Sequence, residues 1–312
     1  MALNLSRILV LRALGLGDLL TAVPALRAVR AQYPNAHLAL AMPDRYTDLV
    51  ALAHGADGTA CVDAVIDTRG LTGPPPGPTP DLAINLHGRG PQSIDVCVAT
   101  GAPSILTHAH PDRGLAGRPW MQELHEVDRW CRLTEYGGAS ADRRDRLIAR
   151  PADVPVTRSV VVHPGAASLS RRWPPDRFAR VAARLDRQGH RVVLTGVAEE
   201  RGLCRAVADQ AALGADAVLA GELDLVHLAA LVCDADLVVC GDTGVAHLAS
   251  AYRTPSVVLF GPTPPRWWGP PSDGPHTVLW SGHTGDPHAD TVDPGLLEIS
   301  VSDVLTAVRE RL

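Results

Sequence analysis

The chain has 312 residues, 46% hydrophobic and 20% charged, which is globular composition and enough length for two domains of roughly 150 residues each. Its net charge of −5 argues against a general nucleic-acid binder, which is normally basic. No lysine occurs, so all 29 basic residues are arginine, and a Walker A loop, a lysine Schiff base and an SxxK acylation site are excluded.

The apolar run Arg7-Ile8-Leu9-Val10-Leu11 reads as a strand ending at Ala13-Leu14-Gly15-Leu16-Gly17-Asp18. Leu19, Leu20, Val23, Leu26 and Val29 then recur at helical spacing, giving strand, glycine loop and helix. Further strands are predicted over residues 37–42, 64–68 and, after the Gly/Pro-rich loop 71–80, over 81–86. Residues 139–158 carry many charges and prolines without an apolar period, so the domain boundary is expected near Arg150-Pro151. The pattern restarts with a strand at 159–163, a helix at 174–189, a strand at 191–196, a helix at 225–235, a strand at 236–242, a helix at 244–252 and a strand at 255–261. Residues 262–295 read as loop-rich, and 301–312 as an amphipathic helix. Strands alternating with helices predict parallel sheets covered on both faces. The expected organisation is a Rossmann-like domain over 1–152, a second over 153–295, and a C-terminal helix within 296–312 that packs back on the first domain.

Aromatic residues are scarce at 4%, so Ala, Val and Leu must fill the core. Cys61, Cys97, Cys131, Cys204, Cys233 and Cys240 form no CxxC pair. There is neither a secretory leader pattern nor a run of about 20 apolar residues, so a cytoplasmic location with reduced thiols is expected.

In doubly wound sheets, ligands bind outside the carboxyl ends of the strands. The unusual sequences at those ends are Gly15-Leu16-Gly17-Asp18, Asn85-Leu86-His87-Gly88-Arg89-Gly90, His163-Pro164-Gly165-Ala166-Ala167-Ser168, the segment 195–201, Gly241-Asp242-Thr243-Gly244-Val245-Ala246-His247 and the segment 260–265. They come from both halves, so a site in a cleft between two facing domains is expected. Asp18 admits two readings, a general base or a helix cap, and Asp favours capping strongly. Asp242-Thr243-Gly244 sits where a strand meets a helix, an anion site in which Thr243 can add a hydroxyl and Gly244 removes bulk. An ordinary cap with His247 as a core histidine is the alternative there. The small residues of 163–168 can wrap a diphosphate with backbone amides, and Arg171 and Arg172 can neutralise its charge. A surface loop with solvated arginines is the plainer reading. His283, Asp286, His288 and Asp290 match no zinc spacing, and no metal site is assigned.

Taken together, the segments 10–34, 161–182 and 237–270 resemble glycosyltransferase family 9, the ADP-heptose:lipopolysaccharide heptosyltransferases. The resemblance implies a GT-B fold, with the acceptor on the N-terminal domain and the nucleotide sugar on the C-terminal one. It implies an inverting reaction without an essential metal or any cofactor beyond the nucleotide-sugar donor, which is ADP-linked in the family. Gly17 and Asp18 match the family's GD motif, whose Asp is the proposed base. Arg171 stands where the family commonly has a lysine that contacts donor phosphate, and arginine keeps the charge with a different, planar reach. Asp242, Thr243, Gly244 and His247 match the donor motif D-T-G-x-x-H, with His163, Gly165, Ser168 and Arg172 on the facing loop. Glu200 matches the acid that holds the nucleotide ribose, with Glu199 an adjacent rival. His87, Gly88 and Arg89 match a loop facing the acceptor. The region 281–290 often carries cysteines in relatives and has none here. The acceptor is therefore left as a glycan, a glycolipid or a small natural product, and transient contact with a membrane-held acceptor is compatible with the sequence. Three other classes share parts of this pattern. A sugar-nucleotide epimerase would act without an acceptor, and a non-catalytic nucleotide-sugar-binding protein would release no nucleotide. A nicotinamide dehydrogenase would need the third glycine that Leu20 replaces.

Overall fold

The structure is a computed structural model and describes residues 5–68, 70–152, 154 and 158–312. The chain divides into two compact units, Met1–Ala149 and Arg150–Leu312. The second domain's expected first residue, Asp153, lies outside the described residues, as do Pro155, Val156 and Thr157 of the expected boundary segment.

Unit 1 contains β1 (Arg7–Leu11), α1 (Leu16–Gln32), β2 (His37–Ala41), α2 (Thr47–Ala51), β3 (Ala64–Ile66), β4 (Leu82–Asn85), α3 (Pro91–Ala99), β5 (Ser104–Leu106) and α4 (Glu126–Tyr136). Its strands form one parallel sheet in the order β3-β2-β1-β4-β5. Alternate residues of a strand face opposite sides. Leu9, Leu11, Ala39, Ala41 and Ala83 form a cluster with Val96 and Cys97 of α3. Ile8, Val10, Leu38 and Leu40, on the other side, are buried as well. Burial on both faces explains why the inner strands read as short continuous apolar runs. The sequence reading did not contain β5, a three-residue edge strand with its first residue exposed.

Unit 2 contains β6 (Val160–His163), α5 (Pro175–Arg187), β7 (Val192–Leu194), α6 (Arg201–Ala211), α7 (Leu225–Asp234), β8 (Leu237–Gly241), α8 (Gly244–Tyr252), β9 (Ser256–Phe260), α9 (Pro265–Trp268), β10 (His276–Trp280), α10 (Pro294–Glu298) and α11 (Val301–Arg309). The strand order is β10-β9-β8-β6-β7, again all parallel. β10 lies inside the segment read as loop-rich. Every residue of this edge strand is half-buried and Pro and Gly flank it, so it lacks the apolar run that marks an inner strand.

The core of unit 2 is built around Trp173 and Phe178, whose rings meet edge to face at 5.0 Å between centroids. The Trp173 indole N–H donates to the Ile299 carbonyl at 3.0 Å. Val301, Val304, Ala307 and Val308 of α11 belong to the same cluster. The apolar face of this last helix packs within its own unit, against α5, β9 and β10. Among the described residues, no helix is long and apolar enough to cross a membrane.

In both sheets the winding reverses beside the first strand of the unit, between β1 and β4 and between β6 and β8. Such a reversal parts the crossing connections and leaves a crevice at the strands' carboxyl ends. The register aligns Leu11 with Asn85 in unit 1 and His163 with Cys240 in unit 2. Each unit's two motif loops therefore leave its sheet side by side.

Candidate functional site

In unit 1, α1 opens with Gly15 as its extended N-cap and Asp18 as its third residue. The Asp18 carboxylate accepts the Gly15 N–H at Oδ2, 3.2 Å away, closing the first turn on itself. Its Oδ1 lies 3.3 Å from Nη2 of Arg12, and 26% of the side chain remains exposed. The capping role is thus filled, yet the carboxylate still reaches solvent. Gly17 is half-buried beside it.

Arg12, which the sequence reading did not single out, follows β1 directly and is fully buried. A buried guanidinium needs partners, and this one has them. Its Nε donates to the Asp18 carbonyl at 2.9 Å, Nη1 to the Leu86 carbonyl, and Nη2 to Thr21 Oγ1 at 3.3 Å. The available signal was an arginine placed directly after an apolar strand, where the next residue is normally still inside.

On the neighbouring loop, fully buried Asn85 organises the turn. Its Oδ1 accepts the His87 N–H at 3.0 Å, and its Nδ2 donates to the Gly88 carbonyl at 3.2 Å. His87 Nδ1 is buried without a hydrogen-bond partner. Burial, reinforced by the Arg12 charge and opposed by Asp18, lowers the imidazole to about 4, so the ring is neutral at physiological pH. Arg89 stands with its guanidinium 5.7 Å from the Trp120 ring centre. Unit 1 therefore gathers Gly17, Asp18, His87 and Arg89 around one switch point, with Arg12 beneath them.

In unit 2, buried His163 ends β6, and its Nδ1 lies 3.0 Å from Thr195 Oγ1 at the end of β7. Burial lowers this imidazole to about 4 as well, although a hydrogen bond to the Thr195 backbone opposes the shift. Glu200 lies against the 163–168 loop. A Cβ on Gly165 would meet the Glu200 carboxylate at 2.2–2.4 Å, closer than any real contact, so only glycine permits this approach. Glu200 Oε2 accepts the Val197 N–H at 3.0 Å. Arg172 ties the arrangement together, donating from Nε to the Ala166 carbonyl at 2.8 Å, with Nη2 3.9 Å from Glu200. Glu199, one residue earlier, is exposed, so Glu200 is the acid that faces the loop.

Ser168 is half-buried at the start of a tight 3-10 turn, Leu169–Arg171, which carries Arg171 to the end of β8. Gly241, the first residue of the strand-end motif, makes room for it: a Cβ there would lie 3.1 Å from the Arg171 carbonyl oxygen. Arg171 Nη1 is 3.5 Å from the Asp242 carbonyl, and its Nε is buried with no hydrogen-bond partner. Thr243 caps α8 in extended conformation, but its hydroxyl makes no capping bond and is likewise buried and unpartnered. Asp242 is buried beside them. Desolvation raises its carboxyl to about 6 despite the nearby Arg171 charge. Gly244 opens α8, and His247, one turn in, packs edge to face on Trp268 with centroids 5.8 Å apart.

The end of β8 thus offers uncapped amides, a hydroxyl and a guanidinium nitrogen that nothing in the protein answers, a set suited to phosphate oxygens. His283, Asp286, His288 and Asp290 are all exposed, and among the described residues no group of three or more His, Cys, Asp or Glu could hold a metal ion.

Known proteins share this fold. An Escherichia coli ADP-heptose lps heptosyltransferase II structure superposes with a TM-score of 0.76 at 22% identity, covering 97% of each chain. A glycosyltransferase family 9 protein from Veillonella parvula superposes at 0.77 with 21% identity, over 99% of this chain and 97% of that one. An E. coli heptosyltransferase solved with ADP gives 0.72 at 18% identity, over 98% of this chain and 100% of the other. The fold is therefore the GT-B arrangement of two Rossmann-like units. Among curated proteins, lipopolysaccharide heptosyltransferase 3 of E. coli is 29% identical over 129 residues, which is 40% of this chain and 36% of that protein. The family model described as glycosyltransferase family 9 (heptosyltransferase) matches residues 130–293, more than half of the chain, and the chain belongs to that family.

Proposed function

We propose that this protein is an inverting glycosyltransferase that moves a heptose from ADP-heptose onto an acceptor hydroxyl. The observation that carries the reading is the set of unanswered polar groups at the end of β8: the Thr243 hydroxyl, Arg171 Nε and the uncapped start of α8. The donor diphosphate takes these positions, with the 163–168 loop along its side and Glu200 on the ribose hydroxyls. Relatives of the same fold solved with ADP and with an ADP-heptose support the choice of nucleotide.

The chemistry follows from charge. As the bond to the diphosphate breaks, negative charge builds on the leaving oxygens and positive charge on the sugar. Arg171, Thr243 and the helix dipole stabilise the former. These groups supply the neutralisation that a divalent cation would otherwise supply, so the reaction is read as metal-independent. Asp18 takes the proton of the acceptor hydroxyl while that oxygen attacks from the face opposite the diphosphate. Neutral His87 hydrogen-bonds the same hydroxyl, and Arg89 contacts the rest of the acceptor. One displacement without a covalent intermediate inverts the configuration. The acceptor is a glycan, a glycolipid or a small natural product met in the cytoplasm, with transient membrane contact if it is lipid-linked.

The test has two stages. Thermal shifts with ADP, UDP, GDP, dTDP and CDP, each with and without EDTA, should show a selective ADP response that EDTA does not change. A ligand at 100 times its dissociation constant stabilises by about 2.7 kcal/mol. ADP release from ADP-heptose should then require an acceptor, for which a heptose-deficient lipopolysaccharide core is the first probe. A preference for another nucleotide overturns the donor assignment. ADP binding without any ADP release from the sugar donor overturns the enzymatic reading.

A further inference from the structure

We propose that Arg12 is the positioning residue for Asp18 and that Glu126, from α4, holds Arg12 in place. The inference rests on the reading of Asp18 as the base. Each Asp18 oxygen has one assigned donor, the Gly15 N–H on Oδ2 and Arg12 Nη2 on Oδ1. The same guanidinium also binds the Asp18 main-chain carbonyl and the Leu86 carbonyl of the neighbouring loop. One rigid fork therefore fixes the carboxylate relative to both loops of the switch point. A lysine, a single point charge on a flexible stem, cannot make these contacts together.

Arg12 is itself fixed from behind. Glu126 Oε1 lies 3.6 Å from its Nη2, and the Trp130 ring lies under the guanidinium at 4.6 Å. Glu126 is buried and fully engaged: Oε1 accepts the Trp130 indole N–H at 2.8 Å, and Oε2 accepts Arg129 Nε at 2.9 Å. Arg129 continues the chain, donating to the carbonyls of Met121 at 2.7 Å and of Gln122 and Leu124 at 3.3 Å. Charges thus alternate through Asp18, Arg12, Glu126 and Arg129 from α1 to α4. Burying so many charges costs free energy unless each is paired. A chain of pairs that ends on the one partly exposed carboxylate places its specificity there.

The experiment compares Arg12→Lys, Glu126→Gln and Asp18→Asn. ADP release is followed from ADP-heptose with a heptose-deficient lipopolysaccharide core, ADP affinity by calorimetry, and the His87 ring by NMR titration. A small misplacement of a reacting group costs on the order of 10–100-fold in rate. We expect Arg12→Lys to lower turnover at least about tenfold, with ADP affinity unchanged. Its His87 midpoint stays near 4 because the positive charge remains. Glu126→Gln, which touches neither Asp18 nor substrate, lowers turnover in the same direction and decides the matter should Arg12→Lys fail to fold. In an Asp18→Asn background, Arg12→Lys adds no further loss. Parental turnover in folded Arg12→Lys or Glu126→Gln overturns the proposal. So does an equal fold-loss from Arg12→Lys with and without Asp18, because Arg12 would then act independently. Parental turnover in Asp18→Asn alone reports a different failure, that of the base assignment itself.

Discussion

Replacing Asp242 with Asn tests the electrostatics of the unit 2 site through stability alone. Asp242 is buried, and desolvation raises its carboxyl from 3.8 to about 6. A raised folded-state value means that the folded protein binds this proton more tightly than the unfolded chain does. The resulting stabilisation is complete below about 3.8 and is lost as pH rises through about 6. A difference of about two pH units at 1.36 kcal/mol each amounts to about 3 kcal/mol. The ionised carboxylate therefore costs the native state that much at neutral pH. Asn keeps the shape and removes the charge. Relative to the parent, Asp242→Asn should gain stability steadily between pH 4 and 7, up to about 3 kcal/mol. For a unit of this size that is roughly 6–12 °C in the midpoint. The assay is thermal unfolding of both proteins from pH 4 to 8, read as the difference between them, so that His163 and His276, both lowered by burial, largely cancel. A difference that stays flat with pH would refute the claim that Asp242 is held uncomfortably ionised. The same charge opposes an incoming diphosphate, so the variant should also bind ADP more tightly above pH 6.

Asp18→Asn should lower heptose transfer by about 10²–10⁴-fold while ADP binding by calorimetry stays unchanged; parental turnover would return Asp18 to a capping role alone. Gly165→Ala inserts a methyl group 2.2–2.4 Å from the Glu200 carboxylate and must displace it. ADP affinity should fall about tenfold or more, as the loss of one charge-assisted hydrogen bond implies, and unchanged affinity would remove Glu200 from the ribose. Trp173→Ala removes a fully buried indole, its ring contact with Phe178 and its bond to Ile299. A cost of about 3–5 kcal/mol is expected in chemical denaturation, and a loss below about 1 kcal/mol would mean that this core rearranges freely.

The chain's own order of residues was enough to point to most of the candidate site, because the relevant signals are local. Short apolar runs bounded by glycine mark the inner strands β1, β6, β8 and β9, which are buried on both faces. The residues directly after them then fall at the carboxyl ends where parallel sheets place ligands. Asp18, His87, His163 and Asp242 were legible on that ground, and the motif resemblance sharpened it. Other features depend on contacts between residues far apart in the chain. β5 and β10 are edge strands without a continuous apolar run, and α11 shows its partner only once the Trp173 cluster is assembled. Glu199 and Glu200 are indistinguishable in sequence, but one position along a turn swings a side chain from solvent to the Gly165 loop. Arg12 is, in the sequence, a charge directly after a strand. It becomes an internal one because β1 pairs with β4 and α1 packs on α4, which surround it with the Leu86 carbonyl, Asp18 and Glu126. The sequence alone determined which residues lie at the strand ends, since that follows from local periodicity. Only the tertiary structure decided which charges are buried together, since burial is a property of the packed whole.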